Sequence, residues 1–145
     1  MNAPSLYAAI DLGSNSFHLV VMRSDGAHLQ SIECKRELVR LAAGVDNDTG
    51  RLTKEARNRA LRCLNHFRDA LQQIPAANIT AVGTSAFRRL VGDVRFLHQA
   101  ETALGNRSGF SAVKTKRVIF IAACLRVAMT APGVLCSILA AAAPN

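Results

Sequence analysis

The residues best suited to do chemistry stand together near the start of the chain: Asp11, Gly13, Ser14, Asn15 and Ser16, between two apolar runs, Ala8-Ala9-Ile10 and Phe17-His18-Leu19-Val20-Val21-Met22. Successive backbone N–H groups, joined by Ser and Asn side-chain donors, make a concave nest suited to phosphate oxygens. Gly13 lets the backbone come close to a ligand, where a side chain would block approach or forbid an unusual φ. Asp11, at the mouth of the first strand, is placed to hold a divalent cation or to orient a water. An ordinary polar hairpin turn is the alternative, because Asp, Gly, Asn and Ser are common turn formers. Arg88, just past a short strand at 79–82, is the second candidate. Its planar guanidinium can bind two phosphate oxygens at once. A surface arginine at a helix start is the alternative there, and Arg89 reads as solvated.

These groups need a sheet edge to hold them. Residues 6–10 and 17–22 read as the first two strands, Ser24-Asp25-Gly26 as a turn, and 28–35 as a third antiparallel strand. Residues 38–41 continue the sheet or run along its edge, and 44–50 form a polar loop. Thr53 is a suitable N-cap, with Glu55 in the first turn where the helix dipole favours a carboxylate. Ala56, Ala60, Cys63, Leu64, Phe67, Leu71 and Ile74 then recur at helical spacing, and Pro75 limits that helix. Residues 79–82 form a buried strand, and Asp93 caps a second helix over 94–104, closed by Gly105. Strands, helix, strand, helix in this order predict an α/β sheet with packed helices. His18 alternates with Phe17 and Leu19, so it faces the other side of the sheet and is given no catalytic role. His28, His66 and His98 lie too far apart in sequence to suggest a ligand cluster.

The run Asp11-Leu12-Gly13-Ser14-Asn15-Ser16 resembles the opening of the exopolyphosphatase and guanosine pentaphosphate phosphohydrolase family, Ppx/GppA. Ala81-Val82-Gly83-Thr84-Ser85-Ala86-Phe87-Arg88-Arg89 is similar to that family's V-G-T-S-A-x-R-x segment, and 54–71 fits the helix between the two motifs. The likeness covers 5–107. It implies the first, partial lobe of the actin-like, Hsp70-like and sugar-kinase-like ATPase fold. It also implies a phosphate site at Gly13, Ser14, Asn15, Ser16 and Arg88, Mg²⁺ held through Asp11, and inorganic polyphosphate or guanosine pentaphosphate (pppGpp) as substrate. Intact members are expected to be homodimers.

The net charge of +8 is unevenly made. Residues 1–107 carry 14 basic and 10 acidic side chains, whereas 108–145 carry four basic ones and no acid. A moderately basic surface raises the local concentration of a polyanionic substrate. Nothing resembles a zinc finger or an RNA-binding signature, so no specific nucleic-acid partner is expected. Cys34, Cys63, Cys124 and Cys136 form no C-x-x-C pair and no compact disulfide framework. Reduced thiols and a cytoplasmic location follow, with no signal peptide at the N-terminus.

The likeness stops near Asn106. The family continues with I-E-V-I-S-G-x-E-E-A-R, which carries its glutamate general base, and later with a second phosphate loop, D-I-G-G-G-S-T-E. Neither is present. With permitted codon choices, new codons built from the last base of each codon and the first two of the next yield both motifs in order. The stretch from Ser111 then yields S-G-E-D-E-A-R, and 137–145 yields D-I-G-G-G-S-T-E. Residues 1–107 therefore read as a partial phosphate-binding domain and 108–145 as an out-of-frame tail expected to pack poorly. A membrane anchor over 118–125 and 127–143 is the competing view. Arg126 opposes it, since Arg costs roughly 2.5 to 3.5 kcal/mol near a bilayer centre, and Pro132-Gly133 interrupts the helix.

The expected function is a phosphoanhydride hydrolase in the intact family, with this chain lacking any catalytic base and therefore inactive. A sugar-kinase-like ATPase relative and a non-catalytic phosphate-binding fragment are the alternatives. The 81–89 segment disfavours the first of these.

Overall fold

Two strands with alternating apolar positions, β1 (Ser5–Leu12) and β2 (Ser16–Ser24), pair antiparallel with Leu12 opposite Phe17 and Asp11 opposite His18. The computed structural model describes residues 5–25, 28–83, 86, 89–90 and 92–105. Strand β3 (Leu29–Leu38) adds antiparallel to β2, and β4 (Ile79–Gly83) adds parallel to β1. The order is β3-β2-β1-β4, a mixed sheet as expected. The third strand runs three residues beyond the predicted 35. An edge strand tolerates the charge of Arg36 and Glu37, and Glu37 turns toward His66 on the covering helix.

Helix α1 (Lys54–Leu71) starts where expected, with the Thr53 hydroxyl accepting from the Ala56 N–H at 3.3 Å. It ends at Leu71, before Ile74, which is buried in the turn that follows. A short 3₁₀ turn (Ala42–Gly44) seats against its first turn. A Cβ on Gly44 would lie 2.1 Å from that of Ala56, so only glycine fits. Helix α2 (Val94–Ala103) is capped by Asp93, and Gly105 takes φ +81° just past its end.

Both helices pack on one face of the sheet. Ile10, Leu12, Phe17 and Leu19 meet Ala60, Leu64, Phe67, Phe96 and Ala100 in one apolar cluster. Each fully buried Leu or Phe stabilises by roughly 1.5 to 3 kcal/mol relative to exposure. Period-two alternation turns Asp11, His18, Ala9 and Val20 to the other face.

One buried carboxylate ties the elements together. Asp93 accepts from the Phe96 N–H at 3.1 Å, the Leu52 N–H at 3.2 Å and Arg57 Nη2 at 3.2 Å. Burial works against its charge, but the Leu52 and Phe96 N–H groups and the Arg57 guanidinium outweigh that and hold its carboxyl below the ordinary range. Among the described residues no helix is long and apolar enough to cross a membrane. The tail at 108–145, with Cys124 and Cys136, lies outside the described residues.

Candidate phosphate site

The 11–16 turn is a hairpin, and it is built to stay closed. The Gly13 N–H donates to the Ser16 carbonyl at 3.1 Å. A Cβ on Gly13 would sit 2.6 Å from that oxygen. Its φ is not positive. Glycine is therefore required by the hairpin's own backbone rather than by an unusual φ.

The turn is also held from behind. The Ser14 carbonyl accepts from the Ala42 N–H at 2.9 Å, and the Asn15 carbonyl accepts from the Val39 N–H at 2.9 Å and the Arg40 N–H at 2.7 Å. Arg40 reaches this position with φ +51°, in the left-handed region that costs a residue with a Cβ about 1 to 2 kcal/mol. Helix α1 clamps the same segment, since Arg59 Nε donates to the Val39 carbonyl at 3.0 Å. In a trans peptide the N–H points opposite to the C=O. With the Ser14 carbonyl drawn to Ala42, the Asn15 N–H faces away from the anchoring segment. Asn15 is exposed, Ser14 half-buried and Ser16 buried.

Asp11 and Ser16 share the sheet face opposite α1, where Ala9 and Val20 are also buried, and His18 joins them. The orientation of His18 is the one expected, but the sequence did not reveal that this face also carries Asp11. His18 Nδ1 lies 3.7 Å from Asp11 Oδ2, with both side chains about one-fifth exposed. Only the strand register makes this pair legible. Next across the sheet, opposite His18, stands Arg36.

The second motif arrives at the same edge. Strand β4 runs parallel to β1, with Val82 beside Asp11 and Gly83 beside Leu12, so both strands end together. Ligands of open α/β sheets bind outside the carboxyl ends of such strands. Thr84, Ser85 and Arg88 follow β4 but lie outside the described residues. Arg89, expected to be solvated, is exposed and donates to Asn47 Oδ1 in the 45–52 loop.

Among the described residues no group of three His, Cys, Asp or Glu side chains converges as a metal cage. Asp11 is a single carboxylate beside a phosphate-sized turn. That donor set suits Mg²⁺, which binds through one or two carboxylates together with substrate phosphates and water.

The Ppx/GppA phosphatase family model matches residues 20–128. The chain belongs to the Ppx/GppA phosphatase family. The match begins within β2, after the hairpin turn, and runs past residue 107. Among solved structures, the chain is similar to the Aquifex aeolicus Ppx/GppA family member at 21% identity and TM-score 0.69, over 85% of this chain and 40% of that one. It is similar to an exopolyphosphatase-like protein at 26% identity and TM-score 0.67, over 82% and 36% respectively. An exopolyphosphatase from Cytophaga hutchinsonii ATCC 33406 matches at 26% identity and TM-score 0.61, over 69% and 32%. The chain thus spans 32% to 40% of the length of these proteins, and its fold is the first part of the actin-like ATPase fold.

Proposed function

We propose that residues 1–107 form the first half of a phosphoanhydride-hydrolase site and that this chain binds phosphate chains without cleaving them. The observation that carries the proposal is the shared edge. The Gly13 turn, its carbonyls tied back to 39–42, closes beside the end of the parallel strand β4.

In this reading the Asn15 N–H and the Ser14, Asn15 and Ser16 side chains receive oxygens of a terminal phosphoryl group. Arg88 grips the next phosphate. Asp11 would hold Mg²⁺ together with phosphate oxygens of the substrate, and the ion would neutralise oxygen charge. The substrate class is inorganic polyphosphate or guanosine pentaphosphate. Positioning an attacking water needs a base, and losing one costs about 10² to 10⁴ in rate. Glu33 and Glu37 are paired on the helix side of β3, and Glu55 and Glu101 stand on the helices, so no glutamate is placed to substitute. Out-of-frame translation of 108–145, supported by the two motifs that one shift restores, accounts for the missing base.

Phosphate release from long-chain polyphosphate and from guanosine pentaphosphate tests this directly. The 145-residue chain should bind tripolyphosphate weakly and release nothing. The frame-restored, full-length protein should hydrolyse with Mg²⁺ and lose activity on Asp11→Ala or Arg88→Ala. Release by the short chain, abolished by Asp11→Ala, would overturn the proposal. Resequencing across the codons for 106–111 tests the frame independently.

A further inference from the structure

We propose that the outer edge of β3 pairs with β3 of a second copy of this chain, antiparallel about a two-fold axis through Cys34. The pairing stands apart from the phosphate site proposed above. In the order β3-β2-β1-β4, β3 bonds to β2 on one side, and among the described residues no strand pairs with its other side. An open edge of this kind presents a row of N–H and C=O groups to another strand. Ile32 and Leu38, two of the four large apolar side chains that stand exposed among the described residues, lie on it.

The charge order along the strand selects both the partner and the register. Directly opposed residues of an antiparallel pair share a face, so in a continuous sheet the two-fold axis falls on a residue. With the axis on Cys34, Glu33 of each copy stands opposite the partner's Lys35, and the match occurs twice. An axis on Glu33, Lys35, Arg36 or Glu37 sets that residue against its own copy, and opposed like charges are destabilising. The Arg36 axis also matches Lys35 to Glu37, but Glu37 is already engaged by His66 at 3.0 Å. Charges on an edge ordinarily discourage pairing. Here, within 33–37, they refuse every centre but one. Lys35 reaches Glu33 of its own chain at 3.2 Å, so pairing joins two ion pairs into a cluster of four charges. Strand β3 bulges at Ile32, which limits the ladder to a short stretch about the axis and makes the dimer a weak one. Cys34 is a free, exposed thiol, and this register sets it against its own copy with Cβ atoms about 4.5 to 5.5 Å apart.

Sedimentation equilibrium of the full 145-residue chain, under reducing conditions and up to about 1 mM, the range of a weak complex, tests the pairing. A monomer–dimer equilibrium is expected. Lys35→Glu and Glu33→Lys should each weaken it about five- to fiftyfold, since two attractive pairs become repulsive. An equimolar mixture of the two variants restores opposite charges between chains while the pair within each chain stays broken. The mixture should recover association, and that recovery separates the interface from any effect on stability. The double swap Glu33→Lys with Lys35→Glu keeps both kinds of pair and should dimerise as well. Bismaleimidoethane should link two unsubstituted chains, and Cys34→Ser should lose that link. A monomer at every concentration, or a dimer indifferent to Lys35→Glu, would overturn the pairing. So would a mixture no better than either variant alone, or undiminished linking of Cys34→Ser. Circular dichroism of each variant separates lost association from unfolding.

Discussion

Strand β2 is closed at each end by a polar turn of similar composition, and the two are treated in opposite ways. At one end the Ser14 and Asn15 carbonyls are fastened by three backbone bonds from 39–42, a segment itself clamped by Arg59. At the other end the bonds described between Asp25 and His28 are local: the His28 N–H donates to Asp25 Oδ1 at 2.7 Å, and the Asp25 N–H to the His28 carbonyl at 3.2 Å. Turn chemistry is the same in both. Among the described residues, the backbone bonds from distant chain go to the first turn. Preorganisation of this kind lets a turn receive an anion without ordering itself on binding.

The same contrast separates two aspartates. Asp25 and Asp93 each accept from the N–H three residues on, but Asp93 also takes Leu52 and Arg57 from remote elements. The largest expected effect follows. Asp93→Ala leaves the Arg57 guanidinium and the Leu52 N–H without their partner, and breaking a buried pair costs about 3 to 5 kcal/mol. Urea denaturation measures it. The depressed carboxyl also fixes a sign. Folded Asp93 releases its proton more readily than unfolded Asp93, so its stabilisation is present above about pH 4 and is lost as pH falls through the lower folded value. Asp93→Asn should flatten that acid limb of the stability profile, and an unchanged limb would show that other carboxylates govern it.

Next in size is Gly13→Ala. Its Cβ would meet a backbone oxygen at 2.6 Å, which cannot rotate away, so the turn must open. Overpacking of this sort costs about 1 to 3 kcal/mol. Thermal melts should show that loss together with weaker tripolyphosphate binding. A stable variant with intact binding would mean that the closed turn is incidental.

The parts of this architecture that were legible in the sequence are those written in side chains. Thr53 and Asp93 mark helix starts, and the apolar spacing from Ala56 to Leu71 marks the buried face of α1. The clamp behind the hairpin was not legible, because Val39, Arg40 and Ala42 act through backbone N–H groups that any residue but proline supplies. The pairing of His18 with Asp11, and Arg36 beyond them, needed the register of three strands. The predicted third strand stopped at Lys35, whereas β3 runs on through Arg36 and Glu37 to Leu38.

Arg40 offers a smaller, sharper probe. At φ +51° an arginine is strained, and glycine would relieve about 1 to 2 kcal/mol. Glycine also raises the entropy of the unfolded chain by roughly 0.5 to 1 kcal/mol. Arg40→Gly should therefore be neutral or stabilising by up to about 1.5 kcal/mol, while Arg40→Val should destabilise by about 1 kcal/mol or more. A destabilised Arg40→Gly would mean that the side chain, rather than the backbone turn, holds Asn15.

The smallest effect belongs to the locally closed turn. Asp25 is exposed, and both of its bonds with His28 stay within four residues. Water replaces exposed hydrogen bonds readily, and substitutions at such positions usually stay within about 0.5 kcal/mol. Asp25→Ala should accordingly change neither the denaturation midpoint beyond that margin nor tripolyphosphate binding. The contrast between the two ends of β2 depends on this near-zero value as much as on the large ones. If Asp25→Ala costs as much as Gly13→Ala, both turns are structural in the same sense, and anchoring by 39–42 no longer distinguishes the end that binds phosphate.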